Sequence, residues 1–252
     1  MTSQRWTNNL WIVRHGQSDG NVARDAADEA ALDRIPITGR DVDVPLSELG
    51  ERQSIALGSW FAGAAAPKPQ VLLTSPYKRA IQTGEIIRNV GGADVTTACT
   101  DERLREKEFG ILDGFTLAGV RNHFPEQADI RKVLGKFYHR PPGGESWCDV
   151  ILRLRSLLDT VSLHYGGGDV LIVAHQVVVL CMRYILEGMD EQQIMAIDAE
   201  GDVANCALTH YKFEGEAATG RLALQRYNYT VPVEQVALEV TRAPDPPVAA
   251  RG

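Results

Sequence analysis

Short unbroken apolar runs recur along this chain, and each gives way abruptly to polar or charged residues. Leu10-Trp11-Ile12-Val13, Val71-Leu72-Leu73-Thr74 and Val170-Leu171-Ile172-Val173-Ala174 are the clearest. Runs of this length without alternation are the pattern of parallel strands covered on both faces. A weaker strand is predicted over Ala93–Thr97, and two later ones over Ala207–Phe213 and Leu222–Asn228, joined by Glu214–Gly220. Helical spacing fills the intervals. Ser47–Ala62 opens with Ser-Glu-Leu-Gly-Glu, an N-cap followed by acidic residues in the first turn. Tyr77–Val90 follows Ser75-Pro76, where Ser can cap and Pro can open a helix. Ser146–His164 sets Val150, Leu154, Leu157, Leu158 and Val161 on one face and stops at Gly166-Gly167-Gly168. Val177–Glu187 is apolar nearly all round, as a buried helix would be. Ala26–Thr38, acidic and Ala-rich, reads as a loop or short helical insertion. Alternating strands and helices imply an α/β fold: a three-layer sandwich whose mostly parallel sheet is flanked by helices.

A chain of 252 residues suits one large domain or two small ones. The formal net charge of -7 argues against a nucleic-acid partner. No apolar run approaches the length of a membrane span. Met1–Asn9 is polar and holds no apolar signal core, so a cytoplasmic protein is expected. Cys99, Cys148, Cys181 and Cys206 lie far apart without a Cys-x-x-Cys pair, which fits reduced thiols in that compartment.

The polar residues that end the apolar runs carry the chemistry. Arg14, His15, Gly16, Ser18 and Asn21 follow the first run, Ser75, Pro76, Arg79, Gln82 and Thr83 the second, and His175 and Gln176 the third. Parallel strands bring all three groups to one edge of the sheet, where open α/β folds bind ligands. Two Arg and two His converging there suit a phosphate. The guanidinium groups supply permanently charged planar forks, and a neutral imidazole can attack phosphorus and hold it covalently. A carboxylic acid from Arg103–Gly110 can protonate the leaving oxygen and later deprotonate water. No metal or other cofactor is called for, and no His-Glu-x-x-His motif is present.

These residues fall into five ordered motifs: Arg14-His15-Gly16-Gln17-Ser18-x-x-Asn21, Pro45-Leu46-Ser47-Glu48-Leu49-Gly50, Ser75-Pro76-x-x-Arg79-Ala80-x-Gln82-Thr83, Leu104-Arg105-Glu106 and Val173-Ala174-His175. Together they resemble the histidine phosphatase superfamily, the group that includes cofactor-dependent phosphoglycerate mutase. The resemblance spans roughly residues 8 to 230. It implies His15 as the phosphorylated nucleophile, and Arg14, Arg79 and His175 as the phosphate pocket. Asn21 would add a polar phosphate contact. Glu106 would be the proton donor, with Glu108 as second candidate.

Within that superfamily, His123-Phe124-Pro125-Glu126, Lys136–Ser146 and the pair His175-Gln176 resemble the fructose-2,6-bisphosphatase branch and its uncharacterised relatives. That likeness implies Gln176, Lys132 and Lys136 as substrate contacts. A substrate-binding Tyr of the branch falls at Leu117, and the branch's attached kinase domain is not expected here. The implied domain occupies residues 1–235, with a cap at about 109–140 and a flexible tail over 236–252, Pro/Ala-rich from Arg242 on. Glu145 is expected to hold an Arg of the pocket in place. The expected activity is a metal-independent phosphomonoesterase acting on a small phosphorylated metabolite. Mutase-type phosphotransfer and a non-catalytic phosphate-binding role are the alternatives. Neither nucleic acid nor membrane is an expected partner, and the sequence leaves a homo-oligomer open.

Overall fold

The computed structural model describes residues 4–63, 67–92 and 94–242. One six-stranded sheet runs through it in the order β3-β2-β4-β1-β5-β6. Its strands are β1 (Asn9–Arg14), β2 (Val71–Thr74), β3 (Thr97–Thr100), β4 (Asp169–Ala174), β5 (Leu208–Glu214) and β6 (Arg221–Tyr229). The first four are mutually parallel, whereas β5 runs antiparallel to β1 and β6 antiparallel to β5.

Alternate residues of each central strand enter different cores, which is why the runs show no polar alternation. Leu10 and Ile12 of β1 and Val170 and Ile172 of β4 face α6 (Trp147–His164), α7 (Gln176–Leu186) and α8 (Glu191–Glu200). Trp11 and Val13, with Leu171 and Val173, face α2 (Glu48–Ala62), α3 (Lys78–Gly91) and α9 (Val231–Glu234). The result is the three-layer sandwich expected, with a mostly parallel sheet. The remaining helices are α1 (Asp19–Glu29), α4 (Leu117–His123) and α5 (Pro125–Tyr138). A small separate core of Leu112, Phe115 and Val120 underlies α4 and the start of α5.

Several local expectations need correction. The weak strand lies at Thr97–Thr100, not Ala93–Thr97, and Ala93 is outside the described residues. The register of β2, which pairs Val71 with Thr97, sets its position. Its own residues are half-exposed or exposed and carried no apolar signal. Helix α3 starts at Lys78 with Tyr77 as a cap that makes no side-chain bond. Ser75 and Pro76 therefore precede the helix instead of opening it. Of the stretch read as a loop or short helical insertion, Ala26–Glu29 is the end of α1, a helix that already starts at Asp19 and that the apolar pattern missed. Of the segment read as a tail, Thr241 is tied down by Gln53 and Asn205, while residues 243–252 lie outside the described residues.

Candidate active site

Parallel pairing aligns Val13 of β1 and Thr74 of β2 with Val173 of β4. The residues that follow these strands, His15, Ser75 and His175, consequently meet at one sheet edge. Arg14, His15, Arg79, Glu106 and His175 are all buried there. The His15 and His175 ring centroids are 5.2 Å apart.

His15 is held from both ends. Its backbone N–H donates to Ala174 O at 3.0 Å, and its carbonyl accepts from Asn205 Nδ2 at 3.0 Å. The ring Nδ1 lies 2.7 Å from Gly16 O, an acceptor, which places the proton on Nδ1. Nε2 then carries the ring's lone pair, and it accepts from Arg79 Nε at 3.1 Å. The glycines of the first two motifs explain how this loop is set. A Cβ at Gly50 would lie 1.9 Å from Gln17 O, and one at Gly16 2.5 Å from Gly50 O. Only two bare backbones fit at this crossing. Ser47 and Gln53 close it by bonding the Gln17 backbone.

Arg14 Nη1 donates to Val203 O at 2.7 Å, which fixes one face of its guanidinium. Arg79 donates from Nε to His15, and its two terminal nitrogens grip the Asp41 carboxylate at 2.9 and 3.1 Å. Asp41 sits in a short 3-10 turn, Asp41–Asp43, and no sequence pattern pointed to it. His175 Nε2 pairs with Ser75 Oγ at 2.8 Å, and its Nδ1 is 3.6 Å from Glu106 Oε2. Tyr77 lies edge-on to the His175 ring, and burial beside Glu108, Asp41 and Glu106 pushes its hydroxyl pKa far up, so it stays protonated. Glu106 Oε1 accepts from Lys107 N at 2.7 Å. Glu108, the second candidate, has its pKa raised by burial, and it lies 3.6 Å from Arg105.

The softer candidates separate. Asn21 completes the capping box of α1, accepting from Ser18 N at 2.9 Å, and its Oδ1 lies 3.5 Å from Asn205 Nδ2. Gln176 opens α7 at the site and donates to Asp202 at 2.6 Å. Lys132 is exposed and pairs with Asp129, and Lys136 pairs with Asp198 at 2.6 Å. Neither lysine contacts the converging residues. Glu145 binds Arg105 and Arg153, not the two pocket arginines.

Three buried cationic or titratable groups near Glu106 were not foreseen for this site. Lys107 packs its ammonium 4.5 Å from the Phe109 ring centroid, and burial, then Arg131, pulls its pKa down to about 8. Arg131, on α5, is buried as well. His139 is 1% exposed, and neither ring nitrogen finds a hydrogen-bond partner among the described residues. Burial, then the charges of Arg131 and Lys107, lowers the His139 pKa from 6.5 to about 4. Between those values the unfolded chain binds the proton and the folded chain does not. His139 thus costs no stability above about pH 6.5 and destabilises progressively as pH falls toward 4. A His139→Phe variant should lose part of the acid fall in urea midpoint between pH 6.5 and 4, the share due to the similarly lowered His210 remaining. An unaltered acid limb would refute the assignment.

Among the described residues no cluster of three or more His, Cys, Asp or Glu is placed to hold a metal ion. No helix there is long and apolar enough to cross a membrane.

The family model of the histidine phosphatase superfamily (branch 1) matches residues 10–228. The chain belongs to this superfamily. It is 29% identical over 193 residues to a 2,3-bisphosphoglycerate-dependent phosphoglycerate mutase of Rhizobium etli, covering 75% of this chain and 85% of that one. It is 30% identical over 173 residues to a 6-phosphofructo-2-kinase/fructose-2,6-bisphosphatase of Caenorhabditis elegans, covering 69% of this chain. That match takes in only 33% of the longer relative, and a probable fructose-2,6-bisphosphatase of Schizosaccharomyces pombe is likewise matched over 36% of its length. Among solved structures, a mycobacterial glucosyl-3-phosphoglycerate phosphatase superposes with a TM-score of 0.68 at 26% identity, covering 88% of this chain and 99% of that one. The superfamily thus contributes both phosphatases and mutases to the set of relatives.

Proposed function

We propose that this histidine phosphatase hydrolyses a small phosphate monoester, without a metal ion, through a phosphohistidine on His15. The observation that carries the reading is the His15 ring. Its proton is held on Nδ1 by Gly16 O, and its Nε2 lone pair faces the Arg79 guanidinium. In the first step Nε2 attacks phosphorus, the N–P bond forms and the ester P–O bond breaks. Arg14, Arg79 and protonated His175 offset the charge on the transferring oxygens. Glu106, beside His175, gives its proton to the leaving oxygen. In the second step Glu106 takes a proton from water, the water oxygen attacks phosphorus, and His15 is released with inorganic phosphate.

Hydrolysis is favoured over transfer by the likeness to a solved phosphatase over 88% of this chain and by Gln176 following His175. Incubation with 3-phosphoglycerate and trace 2,3-bisphosphoglycerate, and separately with a panel of phosphorylated metabolites plus chelator, tests this. Release of inorganic phosphate and an acid-labile phosphoprotein are expected. Rapid 2-phosphoglycerate formation without free phosphate would establish the mutase reaction instead. Loss of phosphate release on adding chelator would refute the metal-free step.

A further inference from the structure

Arg79 offers two parallel N–H groups, the geometry with which a guanidinium clamps either a carboxylate or a phosphoryl group. In this structure both go to one side chain, with Nη1 2.9 Å from Asp41 Oδ1 and Nη2 3.1 Å from Oδ2, while Nη1 also donates to Asp41 O at 2.8 Å. Arg79 is 1% exposed while the Asp41 side chain is 21% exposed, so a buried guanidinium is held by a carboxylate that solvent still reaches. We propose that Asp41 is a built-in competitor for the anion site: its carboxylate occupies the Arg79 fork and leaves when a phosphoryl dianion takes the same two N–H groups.

The surrounding segment is built to let go. Its first part is anchored, since Ile35 N donates to Gly114 O, Thr116 N to Asp33 O, and Arg34 lies over the Phe115 ring at 4.0 Å. Its far end is anchored too, through Pro45 O to Asp19 N and Leu46 N to Gln82. From Thr38 to Val44 the other hydrogen bonds stay within the turn, joining Arg40 to Asp43 and Asp41 to Val44. The Arg79 contact is that stretch's one hydrogen-bonded tie to the rest of the chain, among the described residues. Gly39 at φ +96°, with no atom close to where a Cβ would stand, supplies a pivot. A cavity of about 340 Å³ between α1 and the segment, lined by Ala23, Ile37, Asp43 and Val44 among others, gives it room to shift. Burial, and after it the Asp41 charge, raises the pKa of Asp113, so the two carboxylates repel one another while Asp41 is held in the fork.

The expected signature is quantitative. If the fork is open about a tenth of the time, removing the competitor tightens phosphate binding about tenfold. Calorimetric titration with inorganic phosphate should therefore show about tenfold tighter binding to Asp41→Asn and Asp41→Ala than to the unaltered protein. Asp43→Asn removes an equal charge from the same turn without touching Arg79, and its phosphate affinity should stay within about twofold. Saturating phosphate should also speed amide exchange across residues 38–44 in the unaltered protein. Equal phosphate affinity in Asp41→Asn, an equal gain in Asp43→Asn, or unchanged exchange in the segment would each overturn the inference. The proposal rests on this pocket being the phosphate site. A protein that binds phosphate but ignores Asp41 sinks the competitor alone, whereas one that binds no phosphate and forms no phosphohistidine sinks both.

Discussion

His15→Ala is expected to lower turnover of every phosphate ester by about 10⁴-fold or more and to abolish the acid-labile phosphoprotein. The loss should fall on kcat and not on binding. The groups that would meet phosphate are positioned without the imidazole: Arg14 by Val203 O, and His175 by Ser75. Inorganic phosphate should bind the variant within a few-fold of the unaltered protein. Arg79 loses its Nε acceptor in this variant, yet its other two donors keep the Asp41 contact, so the guanidinium stays in the pocket. Single-turnover labelling with a radioactive phosphate ester, followed by base- and acid-stability of the label, is the direct measurement. A variant that still took up label, or kept more than a hundredth of the activity, would assign the nucleophile elsewhere.

Glu106→Gln should be the next most damaging change, by about 10² to 10⁴-fold for an alkyl phosphate. The substitution preserves shape, and the amide oxygen can still accept from Lys107 N as Oε1 does. What it removes is a proton for the leaving oxygen. The defect should therefore shrink with leaving-group acidity: a nitrophenyl ester, whose phenolate leaves unaided, is expected to suffer far less than an alkyl ester in the first step. Glu108→Gln supplies the comparison, because Glu108 pairs with Arg105 at 3.6 Å and is nearly half exposed. A leaving-group slope that steepens in Glu108→Gln and not in Glu106→Gln would exchange their roles.

The parts of this site that could be read from sequence share a physical cause. Arg14-His15, Ser75 and His175 stand where a buried strand ends, so a sudden change from apolar to polar marks them, and parallel pairing then brings them together. Covered strands β1, β2 and β4 were legible for the same reason. The edge strand β3 was misplaced because its exposed residues carry no burial pattern. Lys132 and Lys136 rested on the family resemblance alone. The backbone of α5 breaks at Gly135, with φ 77° and ψ 165°, so helical phase does not carry across it, and the two lysines end on Asp129 and Asp198. Arg131, one position before Lys132, is the buried one. Asp41 was invisible because an irregular turn has no period, and its only mark is the arginine it touches.

The reversal of direction at β5 has a consequence for how this scaffold can change. Because β5 runs against β1, the chain entering it crosses the same edge that β1 leaves, and so Val203 and Asn205 reach Arg14 and His15. The connections after β1, β2 and β4 and the one entering β5 thus all meet at the candidate site. The opposite rim holds the Gly166–Gly168 turn before β4 and the 215–220 hairpin tip between β5 and β6. Sequence drift, fused partners and inserted loops have that rim to themselves, a full strand length from the imidazole pair.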